Sequence, residues 1–462
     1  MPENPPAIRS GRFQGGFRAF AVPGFRRYWF GSVMSILGQQ MLSVAIGWEL
    51  YEITGSATVL GFVGLAHAIP IVGLALWSGS LADRYNRRRI VLAAQSLMFC
   101  CALLLSLVSS RLIVIPDQSL VRSANAMIAT TARFLGEGEV NCSDTRLPVY
   151  FLLLFGVGVS RVLNNPSRSA IVPRLVPGEA LTNAITWNSS AMHIAATFGP
   201  ALGAALVSLA DPSPWEFAIV YAADACCALA MFLSFLSLPN EVGEPVRKMP
   251  VADSSPRPGW LEGARHVVAD HVLIGSISLD MFAVLFGGCT ALLPMFAKDI
   301  LQTDVVGYSW LRASPSIGAF LMGLFLAYRP PRRKVGQVLM LSVILFGLAT
   351  LGFALSKNYL ISLLMLGLIG AFDNISVVIR NSLVQIRTPD ELRGRVSAVN
   401  GVFIGTSNEL GALESGLTAA MWGPVASVLV GGVATILVVV AISRIWPKLL
   451  NLESLEASPA TN

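Results

Sequence analysis

Twelve stretches of about twenty mainly apolar residues follow one another along this chain, each the length a helix needs to cross a bilayer. They lie at about 28–50, 58–80, 90–112, 148–167, 181–209, 215–238, 272–297, 305–328, 336–356, 359–380, 396–419 and 424–446. Only helices and closed barrels satisfy their backbone polar groups in lipid. The pattern therefore predicts an all-α membrane protein with twelve transmembrane helices. Charge supports this, since only 13% of residues are charged where a soluble domain carries about 25%. A soluble enzyme, a coiled coil and a disordered tail are excluded. The net charge of +6 has no folded soluble module to occupy, so nucleic acid is not an expected partner. The six cysteines show no CxxC spacing and no nearby histidine, which leaves no metal or cofactor site to expect.

Orientation follows from the basic residues, which membrane proteins keep on the cytoplasmic side. With the N-terminus inside, 25 of the 33 fall in inner segments, six in outer loops, and Arg161 and Arg312 within spans. Both termini are thus expected in the cytoplasm of a bacterial cell, the chain crossing its inner membrane. Residues 1–25 mix Pro, Gly and Arg without an apolar core, so the first span is read as retained rather than cleaved.

The chain also repeats itself. A shift of 212 residues lays Arg168, Ile171, Val172 and Glu179 over Arg380, Leu383, Val384 and Glu391, whereas Arg87, Arg88 and Arg89 meet their basic counterparts at a shift of 245. The first half therefore carries about 33 extra residues, and the polar stretch 116–147 accounts for them. It has no clear helical period, so a mobile outer loop is expected, with a substrate lid as the alternative. The division is an N-terminal segment 1–27, a six-helix half 28–238, a linker with an interfacial helix 239–271, a second half 272–446 and a tail 447–462. Two such halves place a binding site near mid-membrane between them.

Between spans 2 and 3 stand Gly79, Leu81, Ala82, Asp83, Arg84, Arg87, Arg88 and Arg89. This spacing resembles the G-x-L-a-D-R-x-x-R-R-R signature of the major facilitator superfamily. Positive-inside charge alone explains the arginines but not Gly79 or Asp83. The resemblance implies a latch in which Asp83, Arg84 and Arg88 help hold one access state. The stretches Trp48–Ser56 and Ser376–Val396, the latter with Arg380, Glu391, Arg393 and Arg395, resemble the bacterial exporter branch of enterobactin and macrolide-efflux-like proteins. In span 5, Gly199, Pro200 and Gly203 resemble the Gly-Pro antiporter motif, although Ala195 and Ala204 replace glycines it prefers.

Ionisable residues within spans are costly and usually face a cavity or a partner. Asp280, Glu409 and Asp373 are the candidate proton carriers, and Arg312 and Arg161 the cations suited to an anionic substrate or an ionised carboxylate. Asp373 and Arg380, seven apart, share a helix face. Glu49 is expected to line the exit or to be hydrated, and Asp224 to make a local hydrogen bond. His67 and His193 are expected as packing residues, with proton coupling the alternative. Met281, Met295 and Met322 suit either core packing or an adaptable wall.

No GxxxxGK[ST] phosphate loop occurs, so energy has to come from a gradient or from the substrate itself. The expectation is a monomeric, non-enzymatic exporter of a medium-sized siderophore-like or drug-like compound, working by alternating access in exchange for protons. The rivals are a lipid or lysolipid flippase, an importer of the same fold, and a receptor or sensor that does not transport. No HExxH or GxSxG motif supports a membrane enzyme.

Overall fold

The computed structural model describes residues 16–138, 140–210, 215–244, 259–329, 331 and 333–454, and no strand occurs among them. The first half comprises α1 (Pro23–Thr54), α2 (Ala57–Arg84), α3 (Arg87–Ser109), α4 (Ser119–Phe134), α5 (Leu147–Ser169), α6 (Gly178–Ala210) and α7 (Glu216–Leu236). A short α8 (Gly259–Ala269) leads into α9 (His271–Phe286), α10 (Val305–Tyr328), α11 (Val335–Leu355), α12 (Tyr359–Arg387), α13 (Asp390–Trp422) and α14 (Pro424–Ile445). The N-terminal residues 1–15, linker residues 245–258 and tail residues 455–462 lie outside the described residues.

Local chemistry sets the helix ends. Ser56, Asn86, Asp270, Asp304 and Asn358 each accept a hydrogen bond from the first turn of the helix they precede, satisfying donors that have no partner inside the helix. Gly55 closes α1 at φ +61° and returns its N–H to the Tyr51 carbonyl, a left-handed conformation glycine adopts without strain.

Twelve helices occupy the twelve expected spans, with two differences. Among the described residues, eleven spans are long and apolar enough to cross a membrane. The remaining one is α13, whose apolar run is interrupted by Asn400, Asn408, Glu409 and Glu414. Span 7 was expected to be continuous over 272–297. Instead α9 stops at Phe286, and Gly287 and Gly288 lead into a 3₁₀ turn (Cys289–Leu292), a single α-turn (Leu293–Met295) and a π-turn (Phe296–Ile300).

The insertion is not the structureless loop its sequence suggests. It contains α4, which buries Asn125, Ile128 and Ala132 and packs on α2 and α5. Glu137 then accepts hydrogen bonds from Ser56 Oγ at 2.6 Å and from the Ala57 and Thr58 amides at 2.7 and 3.4 Å. A carboxylate thus sits on the positive end of α2.

The halves meet along two helix pairs, α2 with α13 and α6 with α10. The first pair is splayed. A Cβ built on Gly416 would stand 2.4 Å from the Gly61 Cα, and one on Gly64 would stand 2.7 Å from the Ala412 Cβ. Toward the other end, Gly73 and Gly79 on α2 and Gly401 and Gly394 on α13 have no such neighbour within 4 Å. Only glycine lets the backbones approach so closely at one end. The other end, which carries the basic loops, is open.

Candidate functional site

The splay leaves a cavity of about 2110 Å³ between the halves. Its mouth lies at the basic face, where Gly79, Arg84 and Arg87 of the first half look across at Gly394 and Arg395 of the second. At the opposite end Trp48 and Tyr308 bring ring centroids to 5.3 Å, and the Tyr51 hydroxyl donates to Asp299. Both contacts join one half to the other, and with the Gly61–Gly416 approach they close that end.

Deep in the cavity the wall carries His67 and Gln40 from the first half and Glu409, Asn408 and Arg312 from the second, with Arg161 facing them from α5. His67 Nδ1 lies 3.6 Å from Glu409 Oε2, a contact made directly across the α2–α13 interface. Arg161 and Arg312 are near enough to act on Glu409 electrostatically. Arg312 is itself fixed, donating at 3.1 Å to the Thr290 carbonyl and at 2.9 Å to Ser43 Oγ of the first half. Among the described residues, the deep part of the cavity thus gathers one carboxylate, one imidazole and two guanidiniums from both halves.

Asp280 goes elsewhere. It forms an ion pair with Arg380 within the second half, both residues being almost fully buried, and neither lines the cavity. Arg380 therefore takes its acid from α9 and not from Asp373, the residue one heptad before it on α12. Asp373 lies near Asp280, beside a narrow gap that both line with Ser376.

Glu49 neither lines an exit nor meets water. It is 4% exposed and accepts hydrogen bonds from Ser109 at 2.8 Å and from the Tyr150 and Tyr221 hydroxyls at 2.6 Å each, with Arg146 at 3.8 Å. These donors explain how a carboxylate is tolerated there. Asp224 is buried, and its Oδ2 has no hydrogen-bond partner. Met281, Met295 and Met322 stay off the cavity, where Met192 is the lining methionine. Gly199 and Gly203 press α6 against Gln40 and Met41 of α1 around Pro200.

The loop motif is accounted for in part. Arg88 ties the start of α3 to the end of α7 through the Phe235 and Leu236 carbonyls, at 2.8 and 2.7 Å, and through Asn240. Arg87 donates to the Ala170 carbonyl at 3.2 Å. In this open form those contacts stay within the first half. Arg168 is buried at the end of α5, Glu179 is exposed in the first turn of α6, and Arg393 is half-buried. The side chains of Asp83 and Glu391 lie outside the described residues.

On the second half, α8 packs on α13, with Glu262 paired to Arg395. Its neighbour Asp270 receives Arg387 Nε at 2.8 Å. Burial would raise the Asp270 pKa, but the Arg387 hydrogen bond and two backbone amides outweigh it and hold the carboxyl below its ordinary range.

His67 was undervalued by sequence reasoning. Its partner lies 342 positions away in the other half, a pairing that no spacing within one helix reveals.

Two six-helix halves around a central cavity that opens at one face and carries a few charged side chains in a largely apolar wall define a multi-pass membrane transport protein, not an enzyme. The Major Facilitator Superfamily model matches residues 28–412, and the chain belongs to that family. The chain is 25% identical over 430 residues to the enterobactin exporter of Shigella boydii serotype 4 (strain Sb227), covering 91% of this chain and 93% of that one. It is 22% identical over 404 residues to macrolide efflux protein A of Streptococcus pyogenes, covering 86% and 89%. In fold it is similar to the crystal structure of a bacterial homologue of the human lysosomal transporter Spinster, inward-facing and unoccupied, with a TM-score of 0.69, 15% identity and coverage of 97% and 100%.

Proposed function

We propose that this protein is a secondary active exporter of the bacterial inner membrane, moving a medium-sized organic compound outward by alternating access in exchange for protons. The cross-half pair His67–Glu409 in the cavity wall carries the reading. It lies on the α2–α13 interface, which is closed at one end and open at the other, so any exchange of access has to remake its surroundings. A proton on Glu409 removes the charge that holds the carboxylate to His67, Arg161 and Arg312. The balance between access states then depends on protonation.

Direction follows from charge placement. With the basic face in the cytoplasm, both termini are inside and the open cavity faces inward, where a compound made in the cell would enter. Protonation from outside and release inside reset the cycle. The basic cluster between α2 and α3, with Asp83, acts as the latch that holds this mouth when it closes.

The cavity exceeds the roughly 300–1,000 Å³ of an ordinary small-molecule site, which suits a siderophore-like or bulky drug-like substrate. The enterobactin and macrolide relatives support the same range.

Reconstitution into proteoliposomes tests the proposal with a panel of siderophores, macrolides and lysolipids under an imposed pH gradient. Efflux of at least one siderophore or macrolide should rise with the gradient. For one-for-one exchange with the potential clamped, a one-unit gradient supports an accumulation of about tenfold. Efflux unchanged when the gradient is collapsed would remove proton coupling, and selective movement of lysolipids would favour a flippase.

A further inference from the structure

We propose that Arg161 is the principal substrate anchor of the central cavity, and that its ligand is a carboxylate group on the transported compound. The inference rests on the transport reading and deepens it by naming substrate chemistry.

Arg161 sits on α5 in the cavity wall, at the depth where His67 and Glu409 meet across the halves. Its Nε is buried without a hydrogen-bond partner, and among the described residues its guanidinium has no ion pair. Glu409, Asp224 and Arg312 act on it only through space. Of the other arginines bordering the cavity, Arg84 is exposed at the mouth, and the remaining three are engaged. Arg312 spends both terminal nitrogens on Thr290 and Ser43, Arg395 is paired with Glu262, and Arg87 is bonded to the Ala170 carbonyl.

Arg161 is only half-buried on this open cavity, so a guanidinium without a protein acceptor among the described residues is accessible to a partner that arrives with the ligand. Its planar fork of donors matches the two oxygens of a carboxylate, a geometry that an ammonium or a neutral apolar group cannot satisfy. Among the described lining residues Glu409 is the one acid, set against His67 and several arginines. The field of the cavity therefore favours a negatively charged group at Arg161. Carboxamides at Gln40, Asn165 and Asn408 line the same space, offering further hydrogen bonds to an oxygen-rich molecule and little to a purely greasy one.

Thermal unfolding of the purified full-length protein tests this with citrate as the carboxylate probe and glycerol as the uncharged control, at constant ionic strength. Citrate should raise the wild-type Tm in a saturable way and glycerol should not. Arg161→Gln should abolish the citrate shift, and Arg444→Gln, exposed at the end of α14 and away from the cavity, should keep it. Arg161→Lys retains the charge without the fork and should bind citrate severalfold more weakly, which keeps the test decisive if Arg161→Gln fails to fold. An unchanged citrate shift in Arg161→Gln, or no saturable shift in the wild type, overturns the assignment. Binding needs no gradient, so the two readings separate. A null here alongside gradient-driven transport rejects the anchor and spares the exporter, whereas citrate binding through Arg161 without such transport does the reverse.

Discussion

The molecule holds two acid–base pairs of similar composition in opposite settings. Asp280 and Arg380 lie inside one half, 5% and 2% exposed, and belong to helices that pack against each other within that half. His67 and Glu409 come from different halves, with side chains 9% and 22% exposed on the cavity. In the proposed cycle a pair inside one half would keep its geometry while the halves rock, whereas a pair across the interface would be remade each time. Residue type and depth do not separate a structural ion pair from a coupling site. What separates them is whether the pair bridges the surface that moves.

Breaking each pair should therefore give different phenotypes. The largest effect is expected from Glu409→Gln, which should lower pH-gradient-driven efflux to the level of empty liposomes while leaving the protein folded. Flux assays combined with gel filtration check both parts.

Asp280→Asn should act on stability instead. Leaving Arg380 buried and unpaired costs about 3–5 kcal/mol, visible as a large fall in Tm. Adding Arg380→Met should recover much of it, and each folded molecule should still respond to the gradient.

A third change probes the closed end. Gly416→Leu would press into Gly61 and the Ala57 carbonyl, an overpacking that costs about 1–3 kcal/mol. It should prop α2 from α13 there, seen as faster labelling of a cysteine placed at Ser43 by an impermeant reagent added from the outer side.

The smallest effect belongs to Asp270 and Arg387, outside the membrane. The carboxyl is held below its ordinary range, so its contribution is present above about pH 4 and is lost as pH falls through the lower folded value. For so accessible a pair, less than about 1 kcal/mol is at stake. Wild type should lose slightly more Tm than Asp270→Asn between pH 6 and pH 3.

Much of this was legible in the sequence because the signals are local. Apolar run length pointed to the twelve long helices, of which eleven are apolar enough to cross a membrane among the described residues, and the shift in the repeat pointed to extra residues at 116–147. Glu409, Arg161 and Arg312 stood out as charges inside apolar stretches, and the structure places all three on the cavity. What escaped depends on contacts between helices. Spacing along one helix suggested Asp373 for Arg380, but the arginine's acid comes from α9. Glu49 read as an exit or hydrated residue because its three hydroxyl donors lie on α3, α5 and α7. Helix α4 escaped for a different reason. Leu120, Val121, Ala124, Met127 and Ile128 do recur at helical spacing, but 16 residues are too few and too polar to register as a membrane span.

The claim that proton movement runs through the cross-half pair is tested most directly by imposing a substrate gradient and recording luminal pH in proteoliposomes. The account predicts substrate-driven proton movement in the wild type and in folded Asp280→Asn, and none in Glu409→Gln. Proton movement that survives in Glu409→Gln and disappears in Asp280→Asn would contradict it.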